Sequence, residues 1–506
     1  MPESDAALRI GAALANFGKK LPLPTRLNVW GFLLLILTVC FWFPTDGRAQ
    51  DLNRIFEEES KVAGKRPIIV IPGILGSELV NEKNEEVSWP SFSISKEDGL
   101  TLPISPRLRE NRDSLVARKV LRTAKPAFLV PEIKVYQDLL GALDKYAGYH
   151  EGNWDNPAPG DYQDTYYVFP YDWRRDNVES AQLLIKNITT LKAKLNKPNL
   201  RFNIMAHSMG GLLARYAAYY GDADIPDTGK LPPITWAGAA HINKIFMFGT
   251  PNQGSAATLR ILIKGYFSDD RISKIVDSFT SKMDRADAMT IPAIYQLLPH
   301  NSSVSFLDEN LQPLDIDLFD FNVWRKYGWN IGTDEKFREN FVTGKVGGDS
   351  APFAGASLED LDAFMVAVLQ RAKRFHEALD APFAGEAKVQ LYVYGGDCEN
   401  TLISPVIYFD NKNQKWITLT RPEGLTTTAG RKISAKDVAR AMFAPGDGRV
   451  TRRSLLGQDL AGRRRSQLVA TTLPIAYALF TCSGHADLPN DKTLLNNALT
   501  ALLNER

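Results

Sequence analysis

Residues 204–216 read IMAHSMGGLLARY and place Ser208 between a short apolar run and a segment whose apolar residues recur at helical spacing. In a nucleophile elbow a serine occupies a strained turn between a strand and a helix. Small residues two positions before and two after it let the backbone fold tightly. Ala206 and Gly210 meet this steric need, although Ala206 replaces the glycine of the strict motif. The stretch therefore predicts a nucleophilic serine where a buried strand ends.

Short apolar runs, typical of buried parallel strands, recur along the chain and alternate with helix-like segments at residues 178–195 and 209–220. This alternation predicts an α/β fold with a mainly parallel sheet covered by helices on both faces. The runs begin after Arg66-Pro67 with IIVI and continue at residues 165–171, 200–206, 242–249, 388–394 and 474–481.

Residues 251–387 break the rhythm with scattered aromatic residues and an amphipathic helix near residues 358–379. We interpret this interval as a cap inserted in one domain that spans residues 51–506. A charged stretch at residues 85–134 forms a second excursion from the strand and helix pattern.

Residues 29–43 form one long apolar run that begins with Val29, ends with Phe43 and follows three basic residues. Its length suits either the core of a signal peptide or a short membrane anchor. Residues 1–50 are therefore predicted to be a cytosolic lead followed by one of these two elements. Positive charge before the run predicts that the body of the chain is exported, to a periplasmic or extracellular location or on a membrane anchor. In an exported body Cys398 and Cys482 could form a disulfide, the alternative being two free thiols.

The overall charge does not favour a nucleic-acid partner, since 60 basic and 58 acidic side chains leave a net charge of +2. No zinc ligand pattern is present, because the sequence HEALD at residues 376–380 lacks the second histidine of a metalloprotease helix. The sequence predicts neither a metal nor a cofactor.

A serine nucleophile needs a histidine base and a carboxylate that orients the base, and in this type of fold the order is serine, acid, histidine. His485 follows the last predicted strand and suits a catalytic loop, whereas His241 and His376 suit structural positions. His300 is a loop residue that stays open. Two acids compete for the remaining role: Asp397, directly after a predicted strand, and Asp447, after a hairpin-like excursion. The residues alone do not decide between them.

Taken together, the motifs resemble the lecithin:cholesterol acyltransferase and lysosomal phospholipase-like family of α/β-hydrolases, in a bacterial-type form. Six motifs follow one another in the order of the family, and together they are specific although each alone is weak. They are PIIVIPGILGSEL (67–79), FPYDWRRD (169–176), AHSMGG (206–211), FGTPNQGS (248–255), GDGRVTRRSL (446–455) and SGH (483–485).

The resemblance implies an α/β-hydrolase fold and a lipid ester substrate at a membrane surface, with water or an alcohol as acyl acceptor. It also implies that Asp447, rather than Asp397, is the carboxylate. By the same resemblance the oxyanion hole consists of the backbone N–H groups of Met209 and Ile74, which stabilise the charge on the carbonyl oxygen.

The segment Tyr171-Asp172-Trp173-Arg174 ends a predicted strand at the same edge of the sheet, and Trp89 lies in a loop. Tyr171, Asp172, Trp173 and Trp89 are therefore candidate pocket residues. The alternative for the first segment is an Asp-Arg pair that braces the loop, and for Trp89 ordinary packing.

The leading hypothesis is a serine esterase or acyltransferase in which Ser208 attacks, His485 moves the proton and Asp447 orients His485. Two alternatives are a catalytically silent lipid-binding protein on the same fold and a serine peptidase.

Overall fold

The computed structural model describes residues 52–90, 99–124, 133–265, 283, 285–342, 353, 356–458, 471 and 473–504. The predicted signal peptide or anchor at residues 29–43 lies outside them. Among the described residues no helix is both long and apolar enough to cross a membrane. The described part of the chain contains a seven-stranded sheet. Its strands are β1 (Ile68–Ile71), β2 (His150–Glu151), β3 (Thr165–Val168), β4 (Phe202–His207), β5 (Ile242–Phe248), β6 (Gln390–Gly396) and β7 (Ile475–Thr481).

The strands lie side by side in the order β7-β6-β5-β4-β1-β3-β2, and every neighbouring pair is parallel. The predicted α/β fold with a parallel sheet is confirmed, and six of the strands coincide with predicted apolar runs. The edge strand β2 was not predicted because it has only two residues, both exposed. So short a strand has no hydrophobic pattern to recognise.

Both faces of the sheet are covered at its centre, as alternate residues of β1 show. Ile69 and Ile71 pack into one apolar cluster, and Ile68 and Val70 into another on the opposite face, all at most 1% exposed. The helices of the described residues are α1 (Leu52–Lys61), α2 (Gln137–Lys145), α3 (Asn177–Lys194), α4 (Met209–Tyr220), α5 (Ala256–Lys264), α6 (Arg285–Met289), α7 (Pro292–Tyr295), α8 (Phe321–Lys326), α9 (Glu335–Val342), α10 (Leu358–Leu379), α11 (Ala435–Met442), α12 (Arg452–Leu455) and α13 (Lys492–Leu503).

The interval between β5 and β6, predicted as a cap, contains helices α5 to α10. Its tryptophans Trp324 and Trp329 are fully buried and pack edge to face, with ring centroids 5.9 Å apart. These rings therefore hold the insertion together and are not exposed to a substrate. The helix predicted near residues 358–379 is α10, whose Ser357 and Asp360 form a capping box.

Shorter strands lie outside the seven-stranded sheet. The excursion after β6 contains the predicted hairpin, in which Val406–Asp410 pairs antiparallel with Lys415–Leu419. The remaining strands are Ser77–Asn81, Val87–Trp89, Leu115–Val120, Thr123–Ala124, Ile133–Lys134, Phe306–Leu307, Pro313–Leu314, Glu399–Leu402, Leu425–Thr426, Lys432–Ile433 and Phe443–Gly446.

A buried ion pair attaches α10 to the sheet's own helices. Arg371 lies 2.6 Å from the Asp176 carboxylate, which caps α3, and 2.7 Å from Asp224. Arg371 is 8% exposed and Asp176 4%. Leaving a buried carboxylate without its cation costs several kcal/mol of stability, so this pair holds α10 against the start of α3.

Replacing Arg371 by methionine is expected to lower the free energy of unfolding by about 3–5 kcal/mol, because Asp176 would stay buried without its cation. Denaturant unfolding monitored by circular dichroism would measure the loss. Lys373→Met on the same helix is the control. Lys373 lies 3.2 Å from Asp317 in an exposed pair, so its loss should cost less than about 1 kcal/mol. Equal effects of the two variants would contradict the role assigned to Arg371.

Candidate active site

Ser208 stands on a strained turn between β4 and α4. Its backbone has φ +52° and ψ −125°, a conformation that residues with a side chain rarely adopt. Space is tight around it: a Cβ on Gly210 would lie 2.5 Å from the Pro72 carbonyl oxygen. The Ala206 side chain fits in the buried strand at 1% exposure. The sequence pattern therefore folds as a nucleophile elbow.

His485 and Asp447 lie next to this serine, although both are more than 200 residues away in sequence. The His485 Nε2 atom is 2.9 Å from the Ser208 Oγ atom, and its Nδ1 atom is 2.8 Å from the Asp447 Oδ2 atom. The carboxylate can only accept, so Nδ1 carries a hydrogen and Nε2 is free to accept the serine proton. The three predicted side chains thus form one hydrogen-bonded line.

Backbone contacts fix the carboxylate and the histidine. The Asp447 Oδ1 atom accepts the N–H groups of Arg449 and Val450 at 2.9 and 2.7 Å. The His485 N–H group donates to the Asp447 carbonyl oxygen at 2.8 Å. Asp397, the competing acid, instead pairs with Arg452 at 3.1 Å. The geometry therefore supports Asp447, the choice that the family resemblance implies.

The turn that contains Ile74 lies against the serine. A Cβ on Gly73 would lie 2.8 Å from the Ser208 Cβ atom. Ile74 and Met209 are the chain neighbours of these two residues. Met209 is also the first residue of α4, where an N–H group has no acceptor within the helix and favours negative charge. This arrangement fits the oxyanion role expected for the two N–H groups.

Three aromatic side chains brace the turn at residues 72–76, which we call the oxyanion turn after the role expected of it. The Tyr171 hydroxyl donates to the Pro72 carbonyl oxygen at 3.0 Å, and the Trp89 indole N–H donates to the Leu75 carbonyl oxygen at 2.9 Å. The Gly73 N–H group donates to the Tyr136 hydroxyl at 2.8 Å. Burial raises the pKa of Tyr171 and of Tyr136, so both hydroxyls keep their protons.

The candidate pocket residues are held by contacts with neighbouring parts of the fold. Tyr171 and Trp173 are at most 1% exposed, and the Trp173 indole donates to the Ser77 carbonyl oxygen at 3.2 Å. Asp172 pairs with the buried Arg174 at 2.9 Å. This is the Asp-Arg pair that the sequence offered as an alternative to a pocket role. Trp89 packs edge to face on Trp173 and holds the oxyanion turn.

The structure joins Cys398 and Cys482 in a disulfide, with Cα atoms 4.9 Å apart and a sequence separation of 84. Cys398 follows β6, and Cys482 follows β7 and precedes His485 by three residues. The bond therefore ties the start of the histidine loop to the neighbouring strand.

Replacing both cysteines by serine is expected to lower the free energy of unfolding by about 2–5 kcal/mol, because the bond closes a long loop. Thermal and denaturant unfolding would measure this loss. A reductant should destabilise the wild-type protein and leave the double variant unchanged. A wild-type protein indifferent to reductant would argue against the bond.

His241, His300 and His376 lie away from Ser208, among other partners. His300 lies 2.9 Å from Asp380 and stacks on His376 with ring centroids 4.0 Å apart. Both line a cavity of about 500 Å³ whose lining does not include Ser208 or His485. His241 lies 3.2 Å from the Lys192 ammonium group. The structure brings none of these rings to Ser208.

Sequence reasoning missed Tyr136 and the neighbour of the serine, His207. Tyr136 lies in no motif, and His207 lies in the AHSMGG motif, where nothing in the sequence distinguishes it from the residues around it. Only the fold reveals that they meet, with the Tyr136 hydroxyl 2.9 Å from the His207 Nδ1 atom. Within the described part of the chain no cluster of three or more metal-ligating side chains occurs.

With a seven-stranded parallel sheet flanked by helices and a serine on a strained turn after β4, the chain has the α/β-hydrolase fold. The family model of lecithin:cholesterol acyltransferase matches residues 160–340, a range that includes Ser208 and Met209. The resemblance to that family is therefore confirmed. Together, the family match and the fold support a hydrolase or acyltransferase that acts on lipid esters.

The chain also matches solved structures at low sequence identity and with TM-scores below 0.5. A chain of the Tle4-Tli4 complex is 14% identical, with 87% of this chain and 98% of that chain covered and a TM-score of 0.48. Mature lipase BlEst2 of Bacillus licheniformis is 11% identical, with 87% and 92% covered and a TM-score of 0.30. EstA of Clostridium botulinum is 13% identical, with 88% of each chain covered and a TM-score of 0.32. No functionally curated protein matches the chain.

Proposed function

We propose that this protein is a serine-dependent esterase or O-acyltransferase that transfers the acyl group of a lipid ester through an acyl-enzyme on Ser208. One observation carries the proposal: the hydrogen-bonded line from Ser208 Oγ through the His485 ring to Asp447, with steps of 2.9 and 2.8 Å. Both distances are within the range needed for proton transfer from nucleophile to base.

In the first half-reaction the Ser208 oxygen attacks the ester carbonyl carbon while His485 Nε2 takes the serine proton. The negative charge on the former carbonyl oxygen is stabilised by the N–H groups of Met209 and Ile74, each worth about 3–4 kcal/mol of the barrier. Asp447 stabilises the imidazolium that forms. When the tetrahedral intermediate collapses, the carbon–oxygen bond to the alcohol breaks, and the alcohol leaves with the proton from His485.

In the second half-reaction water or an alcohol attacks the acyl-enzyme while His485 takes its proton. Collapse returns that proton to Ser208 and releases an acid or a new ester. Which acceptor wins depends on how well the site excludes water. No cofactor takes part in this chemistry.

Two features support a site of action outside the cytosol and at a membrane surface. The first is the apolar run at residues 29–43, which follows basic residues. The second is the Cys398–Cys482 disulfide, a bond that persists in oxidising compartments. A lipid ester in an adjacent bilayer is then the substrate.

Incubation of the purified protein with mixed membrane lipids, followed by mass spectrometry, tests the proposal. We expect one lipid class to lose an acyl chain and either free fatty acid or a newly acylated alcohol to appear. A fluorophosphonate probe should label Ser208. An unlabelled serine with intact lipids would favour the silent lipid-binding alternative, and cleavage of amides without lipid preference would favour a peptidase.

A further inference from the structure

Two side chains that the proposed reaction does not use connect the base to the oxyanion turn. His207 ends β4, immediately before Ser208, and is mostly buried. Its Nε2 atom lies 3.0 Å from the His485 carbonyl oxygen, and its Nδ1 atom lies 2.9 Å from the Tyr136 hydroxyl. Tyr136, 2% exposed, also receives the Gly73 N–H group at 2.8 Å.

The chemistry of these partners fixes the direction of every hydrogen bond. A carbonyl oxygen can only accept, so the His207 Nε2 atom carries the hydrogen and donates to His485. In the neutral ring Nδ1 is then bare and accepts the Tyr136 hydroxyl proton. The Tyr136 oxygen in turn accepts from Gly73. The neutral ring therefore satisfies all the partners. A continuous series of hydrogen bonds connects Gly73, Tyr136, His207 and His485.

We propose that His207 is a positioning residue that, together with Tyr136, holds the backbone of His485 and the oxyanion turn in a fixed mutual arrangement. The inference rests on the proposed function, because it concerns the same site. The Asp447 carbonyl oxygen holds the backbone N–H group of His485, and the His207 ring holds the His485 carbonyl oxygen. Gly73, the residue before Ile74, is held by Tyr136.

The surroundings of His207 also keep its ring neutral. Burial, followed by the nearby positive form of His485, lowers the pKa of His207 to about 3. The ring centroids of the two histidines are 5.0 Å apart. A charged ring there would repel the imidazolium that forms on His485 during catalysis. The neutral ring donates a hydrogen bond without opposing that charge.

Two substitutions of His207 separate its two contacts. Glutamine extends an amide N–H group about as far as Nε2, so His207→Gln keeps a donor for the His485 carbonyl oxygen. Asparagine places its amide near the position of Nδ1, so His207→Asn keeps a partner for Tyr136 and loses the donor to His485. We expect kcat to fall about 10- to 100-fold in His207→Asn with little change in KM, because a small displacement of the base is costly. His207→Gln keeps the donor to His485 but loses the contact with Tyr136, so its kcat should fall less, by about 3- to 10-fold.

The readouts are kcat and KM per active site titrated with a fluorophosphonate, alongside circular dichroism and thermal unfolding. Equal activities of the two variants, whether both normal or both reduced, would overturn the hydrogen-bond assignment. If either variant does not fold, Tyr136→Phe decides the question, since it removes one oxygen and keeps the ring. A fall in kcat of about tenfold would support the proposal, and an unchanged kcat would overturn it.

The wild-type protein separates this inference from the proposed function. If wild type neither reacts with the fluorophosphonate nor cleaves a lipid ester, the proposed function fails. If wild type is labelled and active while the His207 and Tyr136 variants match it per titrated site, the positioning role alone fails.

Discussion

Replacement of Ser208 by alanine is expected to remove ester hydrolysis, with kcat lowered by at least about 10⁴-fold, because alanine has no hydroxyl on which the proposed acyl-enzyme could form. The fluorophosphonate label should disappear as well. The fold should be retained, since alanine keeps the Cβ atom that contacts the oxyanion turn. Steady-state hydrolysis of a soluble ester and intact-mass analysis would measure the two losses.

A buried serine elsewhere provides the matched control. Ser180 on α3 is 4% exposed, and Ser180→Ala should leave both hydrolysis and labelling near wild type. Ester turnover that persists in Ser208→Ala would show that the nucleophile is another residue.

The second large effect is expected from Asp447→Asn, with kcat lowered by about 10⁴-fold. The geometry gives the reason. The Oδ1 position receives two backbone N–H groups, so the asparagine oxygen would remain there and its NH₂ group would face His485. The Nδ1 atom would then have to accept, and the hydrogen would move to Nε2. The base would point a proton at Ser208 and could not take one.

Asp397→Asn is the corresponding control, because this residue was the competing acid in the sequence. It pairs with Arg452 and is 27% exposed at the side chain, so kcat should change little. The pH dependence of kcat/KM would give a further check for Asp447→Asn, whose basic limb should show recovery of activity with hydroxide as a substitute base. A larger loss in Asp397→Asn than in Asp447→Asn would reverse the two assignments.

The sequence predicted the sheet well because its strands have continuous apolar runs, most of all the largely buried strands β1, β4 and β5. The edge strand β7 is partly exposed, yet its apolar composition was enough to recognise it. The sequence also predicted the elbow, since the steric needs of Ser208 are local and depend on adjacent small residues. The carboxylate was different. Asp397 and Asp447 both follow strands, and the backbone contacts that select Asp447 come from a turn whose shape no local pattern reveals.

The candidate pocket residues show the same limit. The segment that begins with Tyr171 lies at the correct edge of the sheet, but its side chains point into the turn around Pro72 and the neighbouring strand. Trp89 bonds to Leu75, 14 residues earlier in sequence. Periodicity predicts which residues are buried, whereas partners at such distances follow only from the packed structure. The fate of residues 29–43 stays a prediction.

The left-handed backbone of Ser208 sets a trade-off between durability and chemistry at one position. Glycine adopts such a conformation without steric cost, whereas serine retains it against a strain of about 1–3 kcal/mol. Glycine, which would relieve the strain at this position, has no hydroxyl group. Selection for a more stable fold alone would therefore tend to replace the proposed nucleophile, and the serine marks a position where stability has been given up.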